Sequence, residues 1–124
     1  MAGSTRIFKT RSFSRWARRV GVGDAALRSA VQEMEAGLVD ADLGGGLVKK
    51  RVRLEGRGKR GGARTIVATN RSDRWIFLLG LAKNVRENLG PVELRLLRIQ
   101  ASAKLDLHGP GMDREIESGN VEAI

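Results

Sequence analysis

Apolar and polar positions along the chain change their period several times, and each change marks a predicted element. Thr5 to Thr10 alternates, with Ile7 and Lys9 on one side and Arg6 and Phe8 on the other, the pattern of an edge-type first strand. Phe13, Trp16, Ala17 and Val20 then recur at helical spacing, one face of a short helix capped by Ser12 or Ser14, with Arg15, Arg18 and Arg19 opposite. Gly21-Val22-Gly23 breaks that helix. Asp24 is placed as the N-cap of a second one, along which Leu27, Ala30, Val31, Met34 and Leu38 repeat to an end near Gly37. Asp40 to Gly46 reads as an acidic, glycine-rich connector.

From Leu47 the period falls to two. Lys49, Arg51 and Arg53 share one face of a strand ending at Leu54, while Val48, Val52 and Leu54 share the other, where Lys50 interrupts the apolar row. Thr65 to Thr69 and Arg74 to Ala82 predict two further strands joined by a turn at Asn70 to Asp73; the second is apolar on both faces and therefore central. It leads into Ala82-Lys83-Asn84, polar residues emerging at a strand end. Pro91 suits a first helical turn, and the length of Val92 to Leu107 favours a C-terminal helix packed on the sheet, although Val92, Leu94 and Leu96 alternate as a strand would. His108-Gly109-Pro110-Gly111 stops that helix. The sum is an α+β fold, N-terminal helices packed on a small antiparallel sheet with a C-terminal helix, in one domain over residues 1–110. An acidic tail over residues 111–124, either a short helix or partly disordered, follows it.

Composition narrows the class. A chain of 124 residues fits one domain. No apolar run approaches the roughly 20 residues of a membrane span, and the cationic N-terminus lacks a signal-peptide core, so a cytoplasmic protein without membrane contact is expected. With no cysteine and a single histidine, His108, disulfides are excluded, a conventional zinc site is disfavoured and no small-molecule cofactor is expected. The net charge of +9 and pI of about 11.2 call for a polyanionic partner: nucleic acid, an anionic surface or an acidic protein. The charge is unevenly spread, +6 over residues 1–20, −4 over 21–46 and +7 over 47–64.

The densest cationic stretch is Glu55 to Arg64, where four glycines are interleaved with Arg57, Lys59, Arg60 and Arg64. Glycine lets backbone N–H groups approach an anion, and arginine adds forked donors that match phosphate oxygens. Gly56, Gly58 and Gly61 spell G-x-G-x-x-G, but the residues that follow, Thr65 to Ala68, read as a strand, whereas a dinucleotide fingerprint opens a helix. A phosphate-binding P-loop fails too, because Gly61 is not followed by Lys and Ser or Thr. Glu33 and Glu35, two apart on a helix, cannot face each other as a carboxylate pair.

The wording of Gly45-Gly46-Leu47-Val48-Lys49-Lys50-Arg51-Val52, of Gly58 to Ile66, and of Trp75 to Leu79 leading into Ala82-Lys83-Asn84 resembles the RelE/ParE superfamily of type II toxins, in particular its HigB-like RelE branch. The resemblance spans roughly residues 5–105 and implies a RelE-like fold. It also implies a cognate acidic antitoxin and, for RelE-type members, an endoribonuclease that cuts mRNA on the ribosome. ParE-type members act on gyrase instead, and a non-catalytic topoisomerase inhibitor or nucleic-acid-binding regulator on the same fold is the alternative. By this resemblance Arg64 stands where an arginine steadies the scissile phosphate, Lys49 and Arg51 fall near strand-borne basic residues, and Lys83 lies at the cationic end of the penultimate strand. The chain has no tyrosine where some relatives use one near the C-terminus, and Asn84 stands where some have a second arginine.

RNA cleavage by a 2′-OH requires in-line geometry, charge stabilisation at phosphorus and two proton transfers. Arg64 and Arg60 suit the second requirement, and in so cationic a cluster Lys59, Lys83 or Lys49 can serve as the proton carrier without histidine. The expected site therefore comprises Arg64, Lys83 and Lys59 as catalytic groups, with Lys49, Arg51, Arg53, Arg57, Arg60 and Asn84 gripping RNA. Trp16 and Trp75 could stack on bases, but their places in a helix and a strand suit buried anchors better.

Overall fold

The computed structural model describes residues 5–54, 58–81 and 89–124, with side chains described throughout except at 58–61. A six-stranded sheet in the order β2-β3-β4-β5-β1-β6 separates two helical layers. In chain order the elements are β1 (Arg6–Thr10), α1 (Arg11–Val20), α2 (Asp24–Glu35), β2 (Ala41–Gly44), β3 (Leu47–Leu54), β4 (Gly58–Thr69), β5 (Arg74–Leu81), α3 (Pro91–Leu105), α4 (Gly109–Glu117) and β6 (Val121–Ala123). The sheet is antiparallel apart from the β1–β5 pair, so the α+β architecture is the one the periodicity predicts.

Helices α1 and α2 cover one face. Phe13, Ala17, Leu27, Ala30, Val31 and Met34 pack there on Val48, Val52, Val67, Trp75 and Phe77. Helices α3 and α4 cover the other, where Ala101 and Met112 meet Phe8, Leu47, Ile66, Ala68, Ile76, Leu78 and Val121. β5 feeds both cores with alternate residues and lies inside the sheet, as its two-sided apolar character requires. At the far end of β5 the close approach of Trp16 explains a glycine: a Cβ at Gly80 would stand 2.1 Å from the indole Cδ2.

Tertiary context moves several predicted details. β1 is not an edge strand, because β6 pairs along its outer side and Ile124 N–H donates to Ile7 O. The α1 cap is Thr10, whose Oγ1 accepts the Phe13 N–H at 3.2 Å, so neither Ser12 nor Ser14 caps it. Asp24 is the first residue of α2 and not its cap; its carboxylate takes the Lys9 ammonium at 2.8 Å, a favourable place for negative charge at a helix start. Leu38 leaves the apolar stripe and stands 59% exposed. The predicted connector contains β2, and β4 begins at Gly58, seven residues before the predicted strand, so residues 58–64 of the glycine–arginine stretch belong to a strand, interrupted by a register shift opposite Val52 and Leu54. The stretch expected as an acidic tail folds as α4 and β6, with Met112 and Val121 buried.

Two arginines hold that C-terminal unit. Arg11 donates from Nη2 to Ser118 O at 2.7 Å and from Nε to Gly119 O at 3.2 Å, tying the α4–β6 turn to the start of α1. Arg74 Nη1 lies 2.8–3.1 Å from the carbonyls of Lys104, Leu105 and Leu107, satisfying acceptors that the end of α3 leaves open. Glu115 reaches back to Lys104 at 3.6 Å, and the hydrogen bond from Asn120, together with that cation, holds its carboxyl below the usual carboxylate range.

Lys50, the interruption in the apolar row of β3, is buried on the face under α2. Its ammonium contacts Glu33 Oε1 at 2.8 Å and donates to Leu38 O at 2.9 Å, which fixes α2 and its exit to the sheet. Removing one partner of such a pair strands the other charge. Glu33 keeps partial solvent access, so Lys50→Met is expected to cost about 2–3 kcal/mol in chemical denaturation, below the ~3–5 kcal/mol of a fully buried pair. Adding Glu33→Gln should recover part of the loss, and a Lys50→Met protein as stable as the parent would contradict the pairing.

Candidate functional site

The alternation of β3 and the register of its neighbours assemble the site. Three rows cross β3, β4 and β5 on the face that α3 and α4 cover: Leu47–Ala68–Ile76, Lys49–Ile66–Leu79 and Arg51–Arg64–Leu81. The first is wholly apolar, the second begins with one cation and the third places two side by side. Leu79 and Leu81 continue the apolar core of this face, so the cations sit on a hydrophobic floor. The opposite face at the same level carries Lys50, Thr65 and Gly80, with Thr65 Oγ1 bonding Lys50 O at 2.8 Å, which pins the register beneath the cations.

Arg51 and Arg64 are directly opposed across the antiparallel ladder, a spacing of roughly 4.5–5.5 Å between Cα atoms, with their side chains on one face. Arg51 is exposed and Arg64 half-buried. Like charges so placed repel, at a cost of a few tenths of a kcal/mol to about 1 kcal/mol. Arg53 follows on the same face, exposed, at the register shift between Val52 and Leu54. Among the described residues the side chains of Arg51, Arg53 and Arg64 make no hydrogen bond or ion pair, whereas Lys9, Lys50 and Arg74 elsewhere in the sheet are engaged and Arg6 lies over the Phe8 ring. Asp40 approaches this group but bonds the backbone N–H of Arg51, not its guanidinium.

Of the predicted site residues, Lys49, Arg51, Arg53 and Arg64 are thus brought onto one face. Lys59 and Arg60 lie in the first part of β4, whose side chains are not described, and Arg57, Lys83 and Asn84 lie outside the described residues. His108 occupies the N-cap position of α4, exposed, and Trp75 is a buried core anchor, so neither joins the group. Trp16, over Gly80, lies against the opposite face. The residue that sequence reasoning passed over is Leu81, the apolar end of the arginine row; the apolar run of β5 up to that position was its signal.

Two guanidiniums on adjacent strands present paired forks to one tetrahedral anion. Their charge is fixed at any physiological pH, so they can bind and stabilise negative charge but cannot carry protons. Among the described residues no group of three His, Cys, Asp or Glu side chains is arranged to hold a metal ion, and no helix is long and apolar enough to cross a membrane.

The chain belongs to the RelE toxin family: residues 5–124 match the family described as the RelE toxin of the RelE / RelB toxin-antitoxin system. No curated protein matches it. The matched range takes in α4 and β6, so the C-terminal unit clamped by Arg11 lies within the family's extent. The protein is therefore a toxin of a toxin–antitoxin system, with an antitoxin as partner.

Proposed function

We propose that this toxin is an endoribonuclease that cuts mRNA on the ribosome, with the Arg51–Arg64 pair as its phosphate clamp. The observation that carries the reading is that pair: like charges held opposite each other on a solvent-accessible row, without an anionic partner among the described residues. In the reaction the ribose 2′-OH attacks the adjacent phosphorus and the bond to O5′ breaks, leaving a cyclic phosphate and a 5′-hydroxyl. Arg64, with Arg51 beside it, neutralises the charge that grows on the non-bridging oxygens. The proton lost by the 2′-OH and the one gained by O5′ are assigned to Lys59 and Lys83, since guanidiniums cannot exchange them. Lys49, Arg53, Arg57, Arg60 and Asn84 grip the strand on either side.

An acidic antitoxin segment would satisfy the same cations, so inhibition works by occlusion of the clamp. Arg15 and Arg19, exposed on α1 on the far side of the sheet, add a second cationic surface suited to the phosphate-rich ribosome.

With translating ribosomes and labelled mRNA, the parent protein is expected to cut and Arg64→Ala to lose at least about 100-fold in rate, the scale for one lost donor to a developing oxyanion. Intact mRNA with the parent, or undiminished cleavage by Arg64→Ala, would overturn the assignment. Inhibition of gyrase supercoiling without RNA cleavage would move the protein to the topoisomerase class.

Binding to single-stranded RNA should weaken with salt, and Arg51→Gln or Arg53→Gln should each reduce the slope of log K against log salt by about 0.7, one phosphate contact. Arg98→Gln, at a residue bonded to the Leu43 carbonyl, serves as the control that leaves the slope unchanged. Equal slopes for parent and Arg51→Gln would remove Arg51 from the RNA surface.

A further inference from the structure

Burial on the arginine face falls off row by row. Leu47, Ala68 and Ile76 are fully buried; in the next row Ile66 is buried but Lys49 and Leu79 are half-buried, and in the last Arg51 is exposed while Arg64 and Leu81 are half-buried. Apolar side chains therefore come partly to the surface directly beside the paired guanidiniums. A backbone irregularity puts them there. Ile66 pairs with Leu79 but Val67 with Phe77, so Leu78 is an extra residue in β5, a bulge. Phe77 lies in the core under α1 and α2, and strict alternation would send Leu79 and Leu81 to that same side. The bulge turns both onto the face of the arginines, where they join one cluster with Leu94 and Leu97 of α3. Bulges re-aim side chains in this way beside functional sites.

We propose that Leu79 and Leu81 form a shelf for one nucleobase of the RNA whose phosphate the Arg51–Arg64 pair holds, a base selected by contact area and not by hydrogen bonds. The proposal rests on the phosphate-clamp reading of that pair. Neighbouring strands are about 4.8 Å apart, so the shelf begins one strand beyond Arg64, a gap that a single ribose bridges between a phosphate and its base. One fork suffices for a planar carboxylate, whereas two from adjacent strands match a tetrahedral phosphate, which favours a nucleotide over a peptide side chain as the occupant.

Elimination points to the same two residues. The whole chain has three Phe, two Trp and no Tyr. Phe8, Phe13, Phe77 and Trp75 are at most 2% exposed, and Trp16 lies over Gly80 against the opposite face, so none of these rings can stack on a base at the clamp. His108 follows Leu107, whose carbonyl binds Arg74 at the start of β5, the end away from Leu81. Base contact beside the arginines falls to aliphatic surface, whose attraction is non-directional and scales with the area buried. Purines are therefore held better than pyrimidines, and adenine and guanine alike.

The test measures, by fluorescence anisotropy, the binding of two 2′-O-methylated hexamers that cannot be cut: oligoadenylate, and the same sugar–phosphate chain without bases. The parent is expected to bind the oligoadenylate about tenfold more tightly, the low end of what stacking on an aromatic ring supplies. Leu81→Ala should shrink that preference to about threefold or less, and Leu81→Phe should enlarge it, a gain that misfolding cannot mimic. Arg64→Gln should weaken both hexamers alike and leave their ratio unchanged. If it weakens neither, the clamp reading fails, and the shelf then stands or falls on the ratio alone. Equal binding of the two hexamers by the parent, or a preference unchanged in both Leu81 variants, would overturn the proposal. An unchanged preference with a reduced antitoxin affinity in Leu81→Ala would overturn it too, since the shelf would then serve side chains of the protein partner.

Discussion

The structure turns on a pairing that works against itself: Arg51 set opposite Arg64 across β3 and β4. No local preference accounts for two like charges at one rung of a ladder. The other face of the same strands does. Val48, Val52, Ala63 and Val67 are buried under α1 and α2, and a one-residue slip of either strand would bring them to the other face and draw the arginines into the core. The Lys50–Glu33 pair and the Thr65 hydroxyl bond to Lys50 O reinforce the register at the level of the arginines. Core burial thus imposes a surface arrangement in which, among the described residues, no acidic side chain pairs with either guanidinium.

The cationic residues divide accordingly, and net charge alone hides the division. Arg11 and Arg74 are structural, each spending its guanidinium on backbone carbonyls where an element ends. Arg98 does the same for β2 through Leu43 O, its stem lying against Gly45, where a Cβ would stand 2.9 Å from Arg98 Cδ. Lys9 bridges Asp24 and Glu122, joining the start of α2 to β6. Lys9 and Arg11, two of the six cations in the first 20 residues, are therefore bound up in folding, while among the described residues Arg51, Arg53 and Arg64 on β3 and β4 make no ion pair.

Periodicity revealed the elements whose own residues decide them: β3 and β5 from alternation, α1 and α2 from helical stripes, α3 from length and Pro91. It did not reveal those decided by a neighbour. β2 and β6 are short strands that exist because β3 and β1 offer edges, and Val121, buried on this account, looks from sequence like one apolar residue in an acidic run. The extension of β4 back to Gly58 is likewise a gift of β3, since glycine-rich sequence alone reads as loop. Lys49, Arg51 and Arg53 were recognisable as one face, but their meeting with Arg64 depends on register, which no single strand encodes. On α3 the alternation of Val92, Leu94 and Leu96 that first suggested a strand has another origin: one residue faces the sheet and two stand exposed.

The central claim, that the fold holds an arginine pair together against its own repulsion, is tested most directly by a double-mutant cycle. Arg51→Gln, Arg64→Gln and the double variant would be unfolded by denaturant at low and at about 1 M salt, where screening acts over only ~3 Å. The account predicts a repulsive coupling of a few tenths of a kcal/mol to about 1 kcal/mol at low salt that fades at high salt. A coupling that is absent at low salt, or attractive, would contradict it.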